Sequence, residues 1–165
     1  MIKRIKKNKG FVLLFAVTLA AVFLSIAIGV TEVALKEVQF STSAKNTNNA
    51  FFAADTGVEC ALYYDRSGGS SSVFIDPSTG FTISCNNKTI TVTETATNVW
   101  NFSIPNLGGP GDGTGTGCAV VKVDKSNPTP PPGTTITADG YNAGTSGANC
   151  NPPSTAVDRE LSTSY

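Results

Sequence analysis

Cysteine is the residue type in this sequence best placed for covalent chemistry. There are four, Cys60, Cys85, Cys118 and Cys150, and no histidine. The cysteines form no Cys-x-x-Cys unit, so with histidine absent a zinc site is not expected, and no metal or cofactor is assigned. An even cysteine count suits two disulfides, for which three connectivities exist. Cys60 would serve as a reactive thiol only if it stayed unpaired, and a structural bridge fits it better. Asp112 stands among glycines in the run 108–117, but calcium needs several oxygen ligands at defined spacing, so this reads as a loop. Asn87-Lys88-Thr89 and Asn101-Phe102-Ser103 match the N-glycosylation pattern. The chain has no Gly-x-Ser-x-Gly, no phosphate-binding loop and no dinucleotide fingerprint, so an enzyme is not expected.

The elements that would carry these residues begin with a basic stretch. Lys3, Arg4, Lys6, Lys7 and Lys9 precede Gly10-Phe11, and no charge occurs between Phe11 and Val30. About 20 apolar residues at 1.5 Å rise cross a hydrocarbon core of roughly 30 Å. The positive cluster should stay cytoplasmic and leave the C-terminal side outside, where disulfides persist. The formal net charge of zero hides an asymmetry, because the first nine residues hold five of the twelve basic groups. The rest carries seven basic and twelve acidic side chains, an excess of five acids. That balance gives no footing for nucleic-acid binding.

Helical periodicity continues past Val30. Val33, Val38 and Phe40, then Phe51, Ala54, Val58, Ala61 and Leu62, approach the i, i+3/i+4, i+7 spacing of an amphipathic helix. The pattern predicts one helix over 11–64, about 80 Å long, with Gly29 and Asn46-Thr47-Asn48-Asn49 as points of local unwinding. Its first half would span the membrane and its second half would bury one face against a domain. Arg66-Ser67-Gly68-Gly69-Ser70 should end it. Strands are expected over 73–75, 81–85, 89–95, 98–104, 118–124, 134–138 and 156–163, with a hairpin turn at Asn86-Asn87-Lys88. A stiff turn is expected at Asn127-Pro128-Thr129-Pro130-Pro131-Pro132-Gly133. That hairpin would return Tyr141 beside Cys118, so Cys118 should pair with Cys150 in the following loop and Cys60 with Cys85. Trp100 and Phe102 read as sheet core. The domains are a leader (1–10), a transmembrane helix (11–30), its amphipathic continuation (31–66) and a β-rich extracytoplasmic domain (67–165).

Lys9-Gly10-Phe11 followed at once by the apolar run resembles the processing site of type IV pilins and type II secretion pseudopilins. The stretch from Ala50-Phe51-Phe52-Ala53-Ala54-Asp55 to Gly57-Val58-Glu59 is similar to that of PilX-like minor pilins. Val157-Asp158-Arg159-Glu160-Leu161 resembles their last strand. The resemblance implies an α+β, pilin-like fold: a long N-terminal helix packed on a C-terminal antiparallel sheet. It implies cleavage after Gly10 by a prepilin peptidase, N-methylation of Phe11, and assembly through a helix face including Phe11, Leu14, Phe15 and Phe23. The implied partners are other pilin subunits, the peptidase, an inner-membrane assembly platform and membrane lipid. After assembly the protein would sit in a filament or at the cell surface.

One position departs from the family pattern. Major pilins carry a glutamate at the fifth mature position, where this chain has Phe15. A charge in hydrocarbon needs a partner, so its absence removes a self-docking device. Glu32 and Glu37 lie too far along to replace it. The departure points to a minor or tip subunit. The competing reading is a single-span anchored, or secreted, extracellular binding module that does not polymerise. A secretory signal cut near Ala27-Ile28-Gly29 would produce the secreted form, although the apolar run exceeds the usual 7–15 residues.

Overall fold

The chemistry of residues 11–66 favours one continuous helix: no proline interrupts it and leucine and alanine recur. The computed structural model, which describes residues 9–66, 72–75, 80–108, 115–126, 133–144 and 149–165, has α1 spanning Lys9–Arg66. Neither Gly29 nor 46–49 breaks it, because each loses only propensity and neither removes a helical hydrogen bond. The basic cluster at 3–7, Asp112, the proline turn and the helix stop at 67–70 lie outside the described residues.

The chain divides into two compact units, Met1–Ser43 and Ala44–Tyr165. In the first, every described side chain from Phe11 onward is exposed. The second is an α+β domain of pilin-like layout. Its sheet comprises β1 (Phe81–Cys85), β2 (Lys88–Ala96), β3 (Val99–Leu107), β4 (Gly117–Asp124), β5 (Thr135–Tyr141) and β6 (Asp158–Ser164). The six strands form an antiparallel meander in chain order.

Local chemistry sets the turns and register. Asn86 and Asn87 take φ of 50° and 58°, the left-handed pair that a two-residue hairpin loop demands, and they set Cys85 opposite Lys88. Strand β3 runs three residues beyond the expected end at Ile104, through Pro105 to Leu107. A register shift between Ile104 and Leu107 accommodates the proline's missing N–H. Residues 73–75 were expected as a strand but form a turn. Phe74 N–H is bonded to Ser72 Oγ at 3.0 Å, and the fully buried Phe74 ring plugs the core against Phe81, Trp100 and Phe102.

The core lies between residues 50–61 of α1 and one face of the sheet. Trp100, Phe102 and Ile104 face Val123, Val121 and Ala119 across β3–β4, and these face Ile136, Ala138 and Gly140 across β4–β5. The helix meets them with Ala50, Ala53, Ala54, Gly57, Val58 and Ala61, all buried and mostly small. A Cβ on Gly57 would come within 2.9 Å of a Val121 methyl, and one on Gly140 would overlap the Ala50 carbonyl and the Ala54 amide. Glycine and alanine therefore set how closely the helix backbone approaches the sheet. The expected apolar stripe is corrected here. Phe51 is not part of it but is 43% exposed, and Ala50 and Ala53 take the buried positions.

Candidate assembly surface

Helix α1 includes both Gly10 and Phe11, so the bond between them lies in helical backbone. The next segment is long and apolar enough to cross a membrane, and its apolar window is wholly unburied. Its polar side chains are satisfied internally: Thr18 Oγ1 donates to Phe15 O at 2.9 Å and Ser25 Oγ to Val22 O at 2.8 Å. Such back-bonding leaves no hydroxyl unpaired in hydrocarbon.

Phe11, Leu14, Phe15 and Phe23 are all exposed, but they do not make one stripe. At about 100° per residue, Leu14 and Phe15 flank Phe11, while Phe23 lies some 120° round. Phe23 shares its face with Val12, Leu19 and Val30. The helix is thus apolar on all sides through this stretch, and no single face is selected. Exposed apolar residues continue beyond any membrane-length segment: Val33 (58%), Leu35 (60%), Val38 (65%) and Phe40 (78%). The sequence pattern places Val33, Val38 and Phe40 on the apolar stripe of an amphipathic helix, and here that stripe is uncovered.

In the second unit the Phe51–Ala54 stretch divides by face. Ala53 and Ala54 pack on the sheet, while Phe51 and Phe52 form an edge-on aromatic pair, centroids 5.8 Å apart, on the outer side. Tyr63, 63% exposed, continues that outer side about three turns later.

Two disulfides fix this domain. Cys60 of α1 is bonded to Cys85 at the end of β1, with Cα atoms 6.1 Å apart. Cys118 of β4 is bonded to Cys150, with Cα atoms 5.5 Å apart. Tyr141 is the direct cross-strand partner of Cys118, which is why the segment after β5 can reach it.

A polar lock that the sequence reading missed closes the end of α1. The Asp65 carboxylate, 5% exposed, accepts from Lys125 Nζ at 2.5 Å, from Ser72 Oγ and from the Tyr165 hydroxyl at 2.5 Å. The Arg66 guanidinium stacks on the Tyr165 ring at 4.0 Å from its centroid. Burial by itself would raise the Asp65 pKa, but the hydrogen bonds from Lys125, Ser72 and Tyr165 outweigh it and hold the carboxyl below its ordinary value. Burial, then the hydrogen bond to Asp65, pushes the Tyr165 hydroxyl up to about 12. A lone Asp at a helix end gives no sequence signal, since its partners are 7, 60 and 100 residues away.

The outer face of the sheet is uneven in charge. Over β1–β3 it presents Thr82, Ser84, Thr89, Thr91, Thr93, Asn101 and Ser103, all neutral. Over β5–β6 it carries Asp139 directly opposite Glu160, with Asp158 close by. Burial, then repulsion from Glu160 and Asp158, raises the Asp139 pKa. Among the described residues no group of three or more His, Cys, Asp or Glu side chains is arranged to hold a metal ion. Comparisons with protein-family models, curated proteins and solved structures give no match to this chain.

Proposed function

We propose that this protein is a structural subunit, minor or at the tip, of a type IV pilus-like filament or type II secretion pseudopilus. It acts by assembly and not by catalysis. In this reading a prepilin peptidase cuts after Gly10, Phe11 becomes the methylated N-terminus, and the apolar helix leaves the membrane through the assembly platform to join other subunits. The leader stays cytoplasmic and the disulfide-bonded domain faces outward.

One observation carries the reading. The exposed apolar surface of α1 extends from Phe11 to Phe40, well past the roughly 20 residues a membrane anchor needs. In a monomeric anchor Val33, Leu35, Val38 and Phe40 would stand in headgroups or water, at up to about 1.5–3 kcal/mol for each fully uncovered side chain. Lateral packing against neighbouring helices covers them. Phe15 in place of an acid supports a minor or tip position.

The test is replacement of Gly10 by valine, followed by N-terminal sequencing and recovery in sheared surface filaments. The account expects a wild-type N-terminus at Phe11 in the filament fraction, and an uncut Gly10→Val chain held in the membrane. A wild-type chain that still begins at Met1, or a soluble one that begins near Val30, would replace the filament reading with an anchored or a secreted module.

A further inference from the structure

The two edges of the sheet are finished differently. At β1 the Tyr64 hydroxyl accepts from Ser84 N–H at 2.9 Å and donates to Ser84 C=O at 3.1 Å. The helix thereby occupies the outward hydrogen-bonding position of that edge, and the Cys60–Cys85 bridge holds it there. Among the described residues strand β6 has no such cover. Thr134 and Tyr165 exchange both backbone hydrogen bonds, at 2.8 and 3.1 Å, and Asn142 N–H donates to Val157 C=O at 3.1 Å. Antiparallel pairs alternate between bonded and non-bonded, so the phase is fixed at both ends of the ladder. Arg159, Leu161 and Thr163 turn their backbone groups to β5, whereas Asp158, Glu160, Ser162 and Ser164 turn theirs to the open edge.

Among the described residues only one of these outward groups has a partner: the Asp158 carbonyl accepts from the Arg159 guanidinium at 2.8 Å. The β5–β6 register has no bulge and the strand contains no proline, so the edge is straight enough to pair. The residues with outward backbone groups also place their side chains on the acidic outer face, beside Asp139.

We infer that β6 is a strand-addition edge for an extended segment of another protein that carries basic residues at alternate positions. Residues directly opposite Asp158 and Glu160 would share their face and neutralise the Asp139–Asp158–Glu160 cluster. The intervening residues, apolar, would lie beside Leu161, which already packs against the core. Main-chain hydrogen bonds supply affinity, and the acids select the partner. A second copy fits less well. Antiparallel β6–β6 pairing sets its two-fold axis normal to the sheet, so the sheet-packed helices of the two copies would run in opposite directions. It would also add one acidic face to another.

The test uses the full chain in detergent micelles and a labelled nine-residue peptide with lysine alternating with valine and threonine. Two companion peptides have glutamate in place of lysine, or N-methyl groups on the amides that would face β6. The lysine peptide should bind and slow hydrogen exchange at the Glu160, Ser162 and Ser164 amides. N-methylation, Glu160→Lys and Ser162→Pro should each weaken binding about tenfold or more, the last because it deletes an outward N–H while sparing the bonds to β5. Equal binding of the N-methylated or the glutamate peptide would overturn the inference, as would no binding of the lysine peptide. Dimers cross-linked through β6 would overturn the choice of partner. If Ser162→Pro fails to fold, the N-methylated peptide still decides.

Discussion

Helix α1 uses one backbone for two opposite surface strategies. From residue 50 to 61 its sheet-facing positions are Ala, Gly and one Val, so close to β4 and β5 that Gly57 and Gly140 leave no room for a Cβ. From 11 to 40 seventeen of the thirty residues are Phe, Leu, Ile or Val, and every one of them is uncovered, although Ala16, Ala20, Ala21, Ala27 and Ala34 stand between them. A helix that packs permanently on its own sheet gains most from small residues and close approach. A helix that must be soluble in lipid, and is then to be covered by other helices, needs an apolar surface on every side of its membrane-spanning part. On this account the change from uncovered to buried apolar side chains marks the boundary between surface left for assembly and surface satisfied within the subunit.

The sharpest way to break this contrast is to remove the close approach. Gly140→Ala sets a methyl against the Ala50 carbonyl and the Ala54 amide, backbone atoms that cannot swing aside. It should destabilise the domain by about 4 kcal/mol or more, read as loss of a cooperative thermal transition. Next comes the staple that holds the helix to the sheet. Replacing both Cys60 and Cys85 by serine opens a bridge of sequence separation 25 and should cost about 2–4 kcal/mol in denaturant unfolding.

Asp65→Asn should cost about 2–3 kcal/mol, since it leaves the Lys125 ammonium, 20% exposed, without its counter-ion. The same lock sets a pH window. The folded-state pKa of Asp65 is depressed, so its contribution is present above the unfolded value and is lost as pH falls below about 4. The Tyr165 pKa is raised to about 12, so its contribution is present below about 10 and is lost as pH rises toward 12. Thermal unfolding across pH should show both losses in the wild type, and both should shrink in Asp65→Asn. The smallest stability effect belongs to the other half of the helix. Val38→Ser with Phe40→Ser should change domain unfolding by less than about 0.5 kcal/mol while lowering recovery in sheared filaments.

Much of this layout is legible in the sequence, because period and punctuation carry it. The uncharged run from Phe11 identifies the apolar helix, Asn86-Asn87 the first hairpin, and the arrival of Tyr141 beside Cys118 the reach to Cys150. Other features depend on partners distant in the chain. Nothing near Val73–Phe74–Ile75 distinguishes a short strand from a turn that plugs a core; the choice falls to Phe81, Trp100 and Phe102, which surround the ring. Phe51 reads as apolar stripe because hydrophobicity scales favour phenylalanine over alanine, yet the tight helix–sheet contact is built from Ala, Gly and one Val. The Asp65 lock joins four separate segments, and the open edge of β6 follows from hydrogen-bond phase, which no residue type encodes.

The most direct test of assembly through the helix uses Phe40→Cys, a free thiol in a chain whose four native cysteines are all bridged. Its reactivity toward a membrane-impermeant maleimide would be compared on sheared surface filaments and on the detergent-solubilised chain. The account predicts a thiol shielded in filaments, cross-linkable between subunits, and reactive once dissociated. A thiol equally reactive in both states, on a chain that never leaves the membrane fraction, would contradict it.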